Sequence, residues 1–148
     1  RRAELRLPGS EGMGSTEESF AKKLRELNNS QLSIQTLSNW VLFHHGHAPS
    51  LSKVWFTEFT RVKPERKLCL LYLANDVIQQ AHKKQTDYRK QLGRYLPQAF
   101  SDLKRTSPDQ ALVDKAGRLT SIWKERNCYD GGFLSQLEAA LRGEPVGP

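Results

Sequence analysis

The stretch LCLLYLANDVIQQAHKK, residues 68–84, decides the fold, because it begins as an unbroken apolar run. Residues 68–74 are apolar on every side, which predicts the central helix of an all-helical domain. Asn75 and Asp76 then stand side by side in mid-helix. A buried carboxylate without a partner is costly. Three explanations are therefore open: Asp76 lies at a surface, has a permanent partner inside, or meets a partner from outside.

Length and charge set the broad class of the chain. Its 148 residues suit one domain with a single sizeable core. The formal net charge of +7 favours an anionic partner, such as nucleic acid, a phosphorylated peptide or an acidic membrane. The same charge is also common in domains where it serves only solubility. No apolar run approaches the roughly 20 residues of a membrane span, and two distant cysteines are typical of a reducing compartment.

Capping residues and helix breakers divide the chain into eight helices, and no segment shows the alternation of a strand. The predicted helix starts, in chain order, are Ser15, Ser30, Pro49, Pro64, Thr86, Tyr95, Ser107 and the residues after the Asp130-Gly131-Gly132 break. We expect residues 1–14 to be a disordered extension or a non-native remnant, residues 15–142 to form the domain, and residues 143–148 to be a linker. Short connections predict a compact α-superhelix with antiparallel neighbours.

The fourth helix carries a polar stripe after its apolar half. Its members share spacings of three, four and seven residues: Tyr72, Asp76, Gln79, Gln80 and Lys83. A stripe that starts in the core and emerges at a surface predicts the wall of a groove. The equally weighted alternative is that Asn75 and Asp76 only hydrogen-bond a neighbouring loop.

Basic residues cluster in two places, residues 82–90 and the seventh predicted helix. On that helix Arg118 and Arg126 lie two turns apart on one side. Such clusters are usually solvated surface, but arginine is suited to bidentate recognition of phosphate.

Other kinds of site find little support. The histidines of HHGH, residues 44–47, lack further ligands at metal spacing, so we expect no metal site. No catalytic motif and no phosphate-binding glycine loop is present, so we expect neither an enzyme nor a cofactor. The three tryptophans stand at core spacing and are expected to pack rather than stack on bases.

Three segments carry a resemblance to a known family: ELNNSQLSIQTLSNWVLFHH (26–45), KPERKLCLLYLANDVIQ (63–79) and GRLTSIWKERNCY (117–129). They resemble the RNA polymerase II C-terminal-domain-interacting domain, or CID, of the subgroup found in the regulation of nuclear pre-mRNA domain-containing proteins. The resemblance covers residues 16–142 in the family's order. It implies a right-handed superhelix of eight helices and a nuclear protein that reads the phosphorylated heptad repeats of the polymerase tail.

The resemblance also implies the site, a groove between the second, fourth and seventh helices. Asp76 would accept a hydrogen bond from the repeat tyrosine, whose ring would sit near Tyr72. The other implied peptide contacts are Asn29, Ser30, Gln31, Asn75, Gln80, Lys83 and Ile122. Arg126 would pair with phosphate on the serine after the tyrosine, and Arg118 with phosphate elsewhere.

Gln80 and Lys83 depart from close members of the family, which have Asn and Arg there. Lysine keeps the charge but loses the planar fork.

Two other classes stay open beside this reading. One is a trafficking module of the VHS or ENTH type, which binds sorting peptides or phosphoinositides. No amphipathic lead helix rich in bulky apolar residues supports it, and we expect no membrane binding. The other is an RNA-binding domain, which only the charge favours, so nucleic acid is not expected as the main ligand. The isolated domain is expected to be monomeric.

Overall fold

The computed structural model describes residues 8–146, with side chains from Thr16 onwards. Over this range the chain forms eight α-helices, one 3-10 turn and no strand, which confirms the predicted all-α fold. The helices are α1 (Pro8–Glu26), α2 (Gln31–Phe43), α3 (Ala48–Arg61), α4 (Pro64–Ala81), α5 (Tyr88–Gly93), α6 (Leu96–Thr106), α7 (Gln110–Glu125) and α8 (Gly131–Leu141).

A side-chain acceptor caps the starts of α2, α7 and α8. Ser30 caps α2 as predicted, and its hydroxyl accepts a hydrogen bond from Ser33 N at 3.0 Å. The predicted cap at Ser107 is wrong, because the carboxylate of Asp109 accepts from Ala111 N at 2.9 Å and α7 begins later. Thr86 is not a cap either, since Asp87 precedes α5.

The N-terminal helix is longer than predicted. α1 begins at Pro8, so the capping-box start at Ser15 is wrong. Proline is suited to the first turn of a helix, where its missing N–H costs nothing. Residues 8–14, part of the predicted disordered extension, are therefore helical, while residues 1–7 lie outside the described residues. The fourth helix is shorter than predicted, because α4 ends at Ala81 rather than near Lys84.

The closest packing joins alternate helices rather than consecutive ones, which corrects the expected antiparallel pairing of neighbours. α1 packs on α3, α2 on α4, and α6 on α8, so the chain coils into an α-superhelix around one core. α4 lies between α2 and α7 and contacts both. Its predicted apolar half is buried throughout, apart from the half-buried Tyr72. The described helices include none that is long and apolar enough to cross a membrane.

One buried ion pair inside the core was not predicted. Lys67, only 2% exposed, places its ammonium 2.8 Å from Asp102 Oδ2 and donates to Phe59 O at 2.9 Å. Arg105 also pairs with the Asp102 carboxylate. The pair joins α3, α4 and α6, so it fixes how deeply the start of α4 lies in the superhelix.

Arg66, the neighbour of Lys67, secures the surface side of α4. Its guanidinium donates to the carbonyl oxygens of Leu24 at 2.8 Å, Arg25 at 3.2 Å and Leu27. Leu24 and Arg25 belong to the last turn of α1, whose carbonyls have no partner within that helix, and Leu27 follows directly after it. Arg66 therefore fixes the loop from α1 to α2 against the start of α4.

Both cysteines, Cys69 and Cys128, are buried and free. Burial raises the pKa of each thiol, which keeps both protonated at neutral pH. They are core residues, in line with the sequence prediction.

Asp102→Ala should lower the free energy of unfolding by about 3–5 kcal/mol, because it leaves the Lys67 ammonium buried without its counter-charge. Glu144→Ala is the matched control, since Glu144 pairs with Arg142 in an exposed position and should cost less than about 1 kcal/mol. Urea unfolding followed by circular dichroism measures both. Equal losses would contradict a structural role for the buried pair.

Candidate functional site

α2, α4 and α7, the three helices of the predicted groove, run in the same direction. Arg66 near the start of α4 contacts the chain just before α2, and Tyr88 beyond the end of α4 donates to Val41 O near the end of α2. On the other side, Trp123 of α7 contacts α4 one turn before Arg126 does. The three helices therefore lie side by side, with α4 in the middle.

Asn75 has a permanent partner inside the protein. Its Oδ1 accepts from the indole Nε1 of Trp123 at 2.9 Å and from Gln79 Nε2 at 2.8 Å. Trp123 is fully buried in the core, so its N–H needs an acceptor there. Among the described residues no acceptor contacts Asn75 Nδ2, which leaves this amide free to donate to a ligand. The indole is the partner for Asn75, and it comes from a helix rather than a loop.

Gln79 connects Asn75 to a side chain at the surface, Arg126. Its Oε1 accepts from Arg126 Nη1 at 2.5 Å. In the described part of the chain, Arg126 makes no other side-chain hydrogen bond and no ion pair. Its Nε–Nη2 edge therefore stays open for a bidentate contact while Gln79 holds the other side of the guanidinium. The sequence placed Gln79 on the polar stripe but did not assign it this role.

Asp76 is half-buried and accepts a hydrogen bond from Gln80 Nε2 at 2.6 Å, one turn along the same helix. No described cation pairs with it. Tyr72, one turn before Asp76, is half-buried and packs against the core. The carboxylate therefore stands at the groove with a neutral partner and a spare oxygen that can accept another hydrogen bond.

The loop before α2 has its own hydrogen bonds. Ser30 N donates to Asn28 Oδ1 at 2.9 Å, and Asn28 N donates to Ser33 Oγ at 3.2 Å. These bonds fix the loop while Asn29 and Gln31 stay exposed. The three predicted loop residues thus lie at the start of the groove.

The remaining predicted site residues lie along α7 and beyond α4. Ile122 is half-buried and packs against the core between the two arginines in sequence. Arg118 and Lys83 are exposed, and neither forms an ion pair with a described residue. The structure thus links Asn75 and Arg126 through Gln79, whereas Asp76 bonds only Gln80.

The sequence model of the CID domain matches residues 18–137. The chain belongs to the CID family. Regulation of nuclear pre-mRNA domain-containing protein 1A from Homo sapiens is 41% identical over 129 residues, which are 87% of this chain and 41% of that protein. Protein 1B from Homo sapiens is 41% identical over 126 residues, which are 85% of this chain and 38% of that protein. The chain therefore spans about two fifths of these relatives.

Solved CID structures share the fold at low sequence identity. The CTD-interacting domain of Seb1 from S. pombe superposes with a TM-score of 0.73 at 15% identity, covering 86% of this chain and 95% of that one. The yeast Nrd1 CID in complex with Sen1 NIM1 superposes with a TM-score of 0.64 at 18% identity, covering 87% of this chain and 96% of that one. These matches confirm the predicted CID-type superhelix.

CID domains are interaction modules, so family membership confirms that this chain is not an enzyme. Family membership also decides against the alternative of a VHS- or ENTH-type trafficking module. Among the described residues, no group of three His, Cys, Asp or Glu side chains is placed to hold a metal ion. His44 packs instead on Trp40 with ring centroids 4.3 Å apart, and burial lowers its pKa.

Asn75→Ala should lower the free energy of unfolding of this CID by about 1–3 kcal/mol, because it leaves the buried Trp123 N–H unpaired. Asn75→Asp keeps an acceptor and should cost less. Asp76→Ala is the matched neighbour: its partner Gln80 is half-buried and can turn to solvent, so we expect a loss under about 1 kcal/mol. Urea unfolding followed by circular dichroism separates the three. A larger loss for Asp76→Ala than for Asn75→Ala would contradict the assignment.

Proposed function

We propose that this domain binds the phosphorylated heptad-repeat tail of RNA polymerase II in the groove between α2, α4 and α7. Two groups carry the proposal: the half-buried Asp76 carboxylate of α4, and the Arg126 guanidinium at the end of α7. Gln79, three residues after Asp76 on α4, holds that guanidinium. The Asp76 carboxylate accepts a hydrogen bond from the hydroxyl of the repeat tyrosine. The open edge of the guanidinium takes the phosphate of the serine that follows it.

The packing of the aromatic rings supports a peptide rather than a nucleic acid as the ligand. The net charge of +7 favours an anionic partner of either kind. Readers of RNA use exposed aromatic rings near basic residues, whereas all three tryptophans here pack in or against the core and Phe43 is the one exposed Phe, Tyr or Trp ring among the described residues. The solved Seb1 domain is itself described as a CTD-interacting domain. Asn75 Nδ2 and the loop at residues 29–31 are the donors and acceptors we assign to the peptide backbone.

The named relatives support a nuclear role. They are regulation of nuclear pre-mRNA domain-containing proteins. We propose that this domain acts in the nucleus and couples transcription to the processing or termination of pre-mRNA. We also propose that the isolated domain binds its peptide as a monomer.

Asp76→Ala should weaken binding to phosphorylated and unmodified repeat peptides alike, because both contain the tyrosine. A hydrogen bond to a charged acceptor contributes on the order of 1.5–3 kcal/mol, or about ten- to a hundredfold in affinity. Asp76→Asn keeps the shape and should have a smaller effect. Fluorescence anisotropy with two-repeat peptides measures the change. Undiminished binding by folded Asp76→Ala would assign the carboxylate a purely structural role.

Arg126→Ala should abolish the preference for phosphate on the serine after the tyrosine, while affinity for unmodified peptide stays nearly intact. Arg126→Lys should recover only part of the preference, because an ammonium has no planar fork. Arg118→Ala should spare this preference and affect phosphate at another repeat position. Anisotropy with matched peptides at two salt concentrations measures each case.

Gln79→Glu is the companion variant for Arg126. Its new carboxylate would pair with the guanidinium and compete with phosphate, so the preference should fall although Arg126 is present. Gln110→Glu, at an exposed glutamine on α7, makes the same charge change away from the arginine.

Equal losses for modified and unmodified peptides on Arg126→Ala would show that this arginine does not read phosphate.

A further inference from the structure

One row of α4 side chains continues past the proposed site. Tyr72, Asp76, Gln80 and Lys84 are spaced four residues apart, so they follow one face of the helix and the turn after it. Lys84 lines an open pocket of about 450 Å³ together with Asn39, Leu42, Phe43 and His45 at the end of α2. We call this the end pocket. The row therefore leads from Asp76 of the proposed site to Lys84 of the end pocket.

Phe43 gives the end pocket an exposed aromatic wall. Its side chain is 80% exposed, and the structure describes only one other large apolar side chain in this state, Leu32 at 75%. Its centroid lies 5.1 Å from the ring of its sequence neighbour His44 in an edge-on contact. An exposed ring of this kind can pack on a second aromatic ring.

The charge around the end pocket is basic. Lys84 lines it, Lys83 and His82 lie beside Lys84 in sequence, and all three are exposed. No acidic residue lines the pocket. In the described part of the chain Lys84 forms no ion pair, so its ammonium can meet a phosphate.

We infer that the end pocket is a second subsite of the groove, which takes the tyrosine ring of a neighbouring repeat and a phosphate beside it. This inference rests on the proposed function. The reach is adequate: Asp76 and Lys84 are eight residues apart, about 12 Å along the helix axis. A seven-residue repeat spans up to about 25 Å when extended and less when it turns. A peptide of two repeats can therefore fill both subsites at once.

The test compares phosphorylated peptides of one repeat with peptides extended by one repeat at the amino or the carboxyl end. One extension should tighten binding by roughly two- to tenfold, the range of an aromatic contact. Alanine in place of the added tyrosine should remove that gain. Phe43→Ser should remove it as well, whereas Leu32→Ser, which trims the other exposed apolar side chain of α2, should keep it. Fluorescence anisotropy measures each affinity.

The phosphate contact has its own matched pair of variants. Lys84→Glu should remove the benefit of phosphate in the added repeat, and Lys53→Glu, the same charge change at an exposed lysine of α3, should not.

Binding of the one-repeat peptide reports the proposed function separately, and it should be equal in wild type and Phe43→Ser. The assignment of the end pocket as a second subsite is overturned if neither extended peptide binds more tightly than the one-repeat peptide. It is equally overturned if the gain in affinity persists in Phe43→Ser. It is also overturned if light scattering shows a dimer that Phe43→Ser dissociates, since the surface would then join two copies.

Discussion

The hydrogen bond from the buried Trp123 indole to Asn75 is the interaction on which the candidate site depends. An indole N–H in the core must find an acceptor or lose the hydrogen bond that it made to water. The chain supplies that acceptor from the middle of α4, at the point where the helix emerges from the core. Because the same Asn75 oxygen also accepts from Gln79, and Gln79 accepts from Arg126, the requirement of one core tryptophan determines where a surface arginine lies.

α4 can serve as one wall of the groove because its first turn is fixed independently. Lys67 joins it to α3 and α6 inside the core, and Arg66 joins it to the last turn of α1 at the surface. Two adjacent basic residues thus hold the start of the helix against different neighbouring helices. The polar half of α4 is then free to carry side chains for a ligand, since it is not needed to secure the helix.

The sequence predicted the family, the helical class and most of the helix positions, and the family resemblance supplied the residues of the proposed groove. It failed where a contact between distant helices decided the outcome. Asn75 and Asp76 look alike as adjacent polar residues in one helix, yet the first is bonded to a core tryptophan 48 residues away and the second to its own helix. Lys67 gave no sign of burial, because its partner Asp102 lies on another helix. The cap at Asp109 was missed because Ser107-Pro108 gave an equally good local pattern.

What the sequence determined by itself is local and periodic: which segments are helical, which faces are apolar, and that α4 turns polar after Ala74. These follow from helical spacing and from side chains acting on their own backbone. The tertiary structure alone decided which helices pack together, which of two adjacent polar residues stays available, and which arginine is held in place. Those outcomes depend on the desolvation of particular groups by distant segments, and only the folded chain brings the two together.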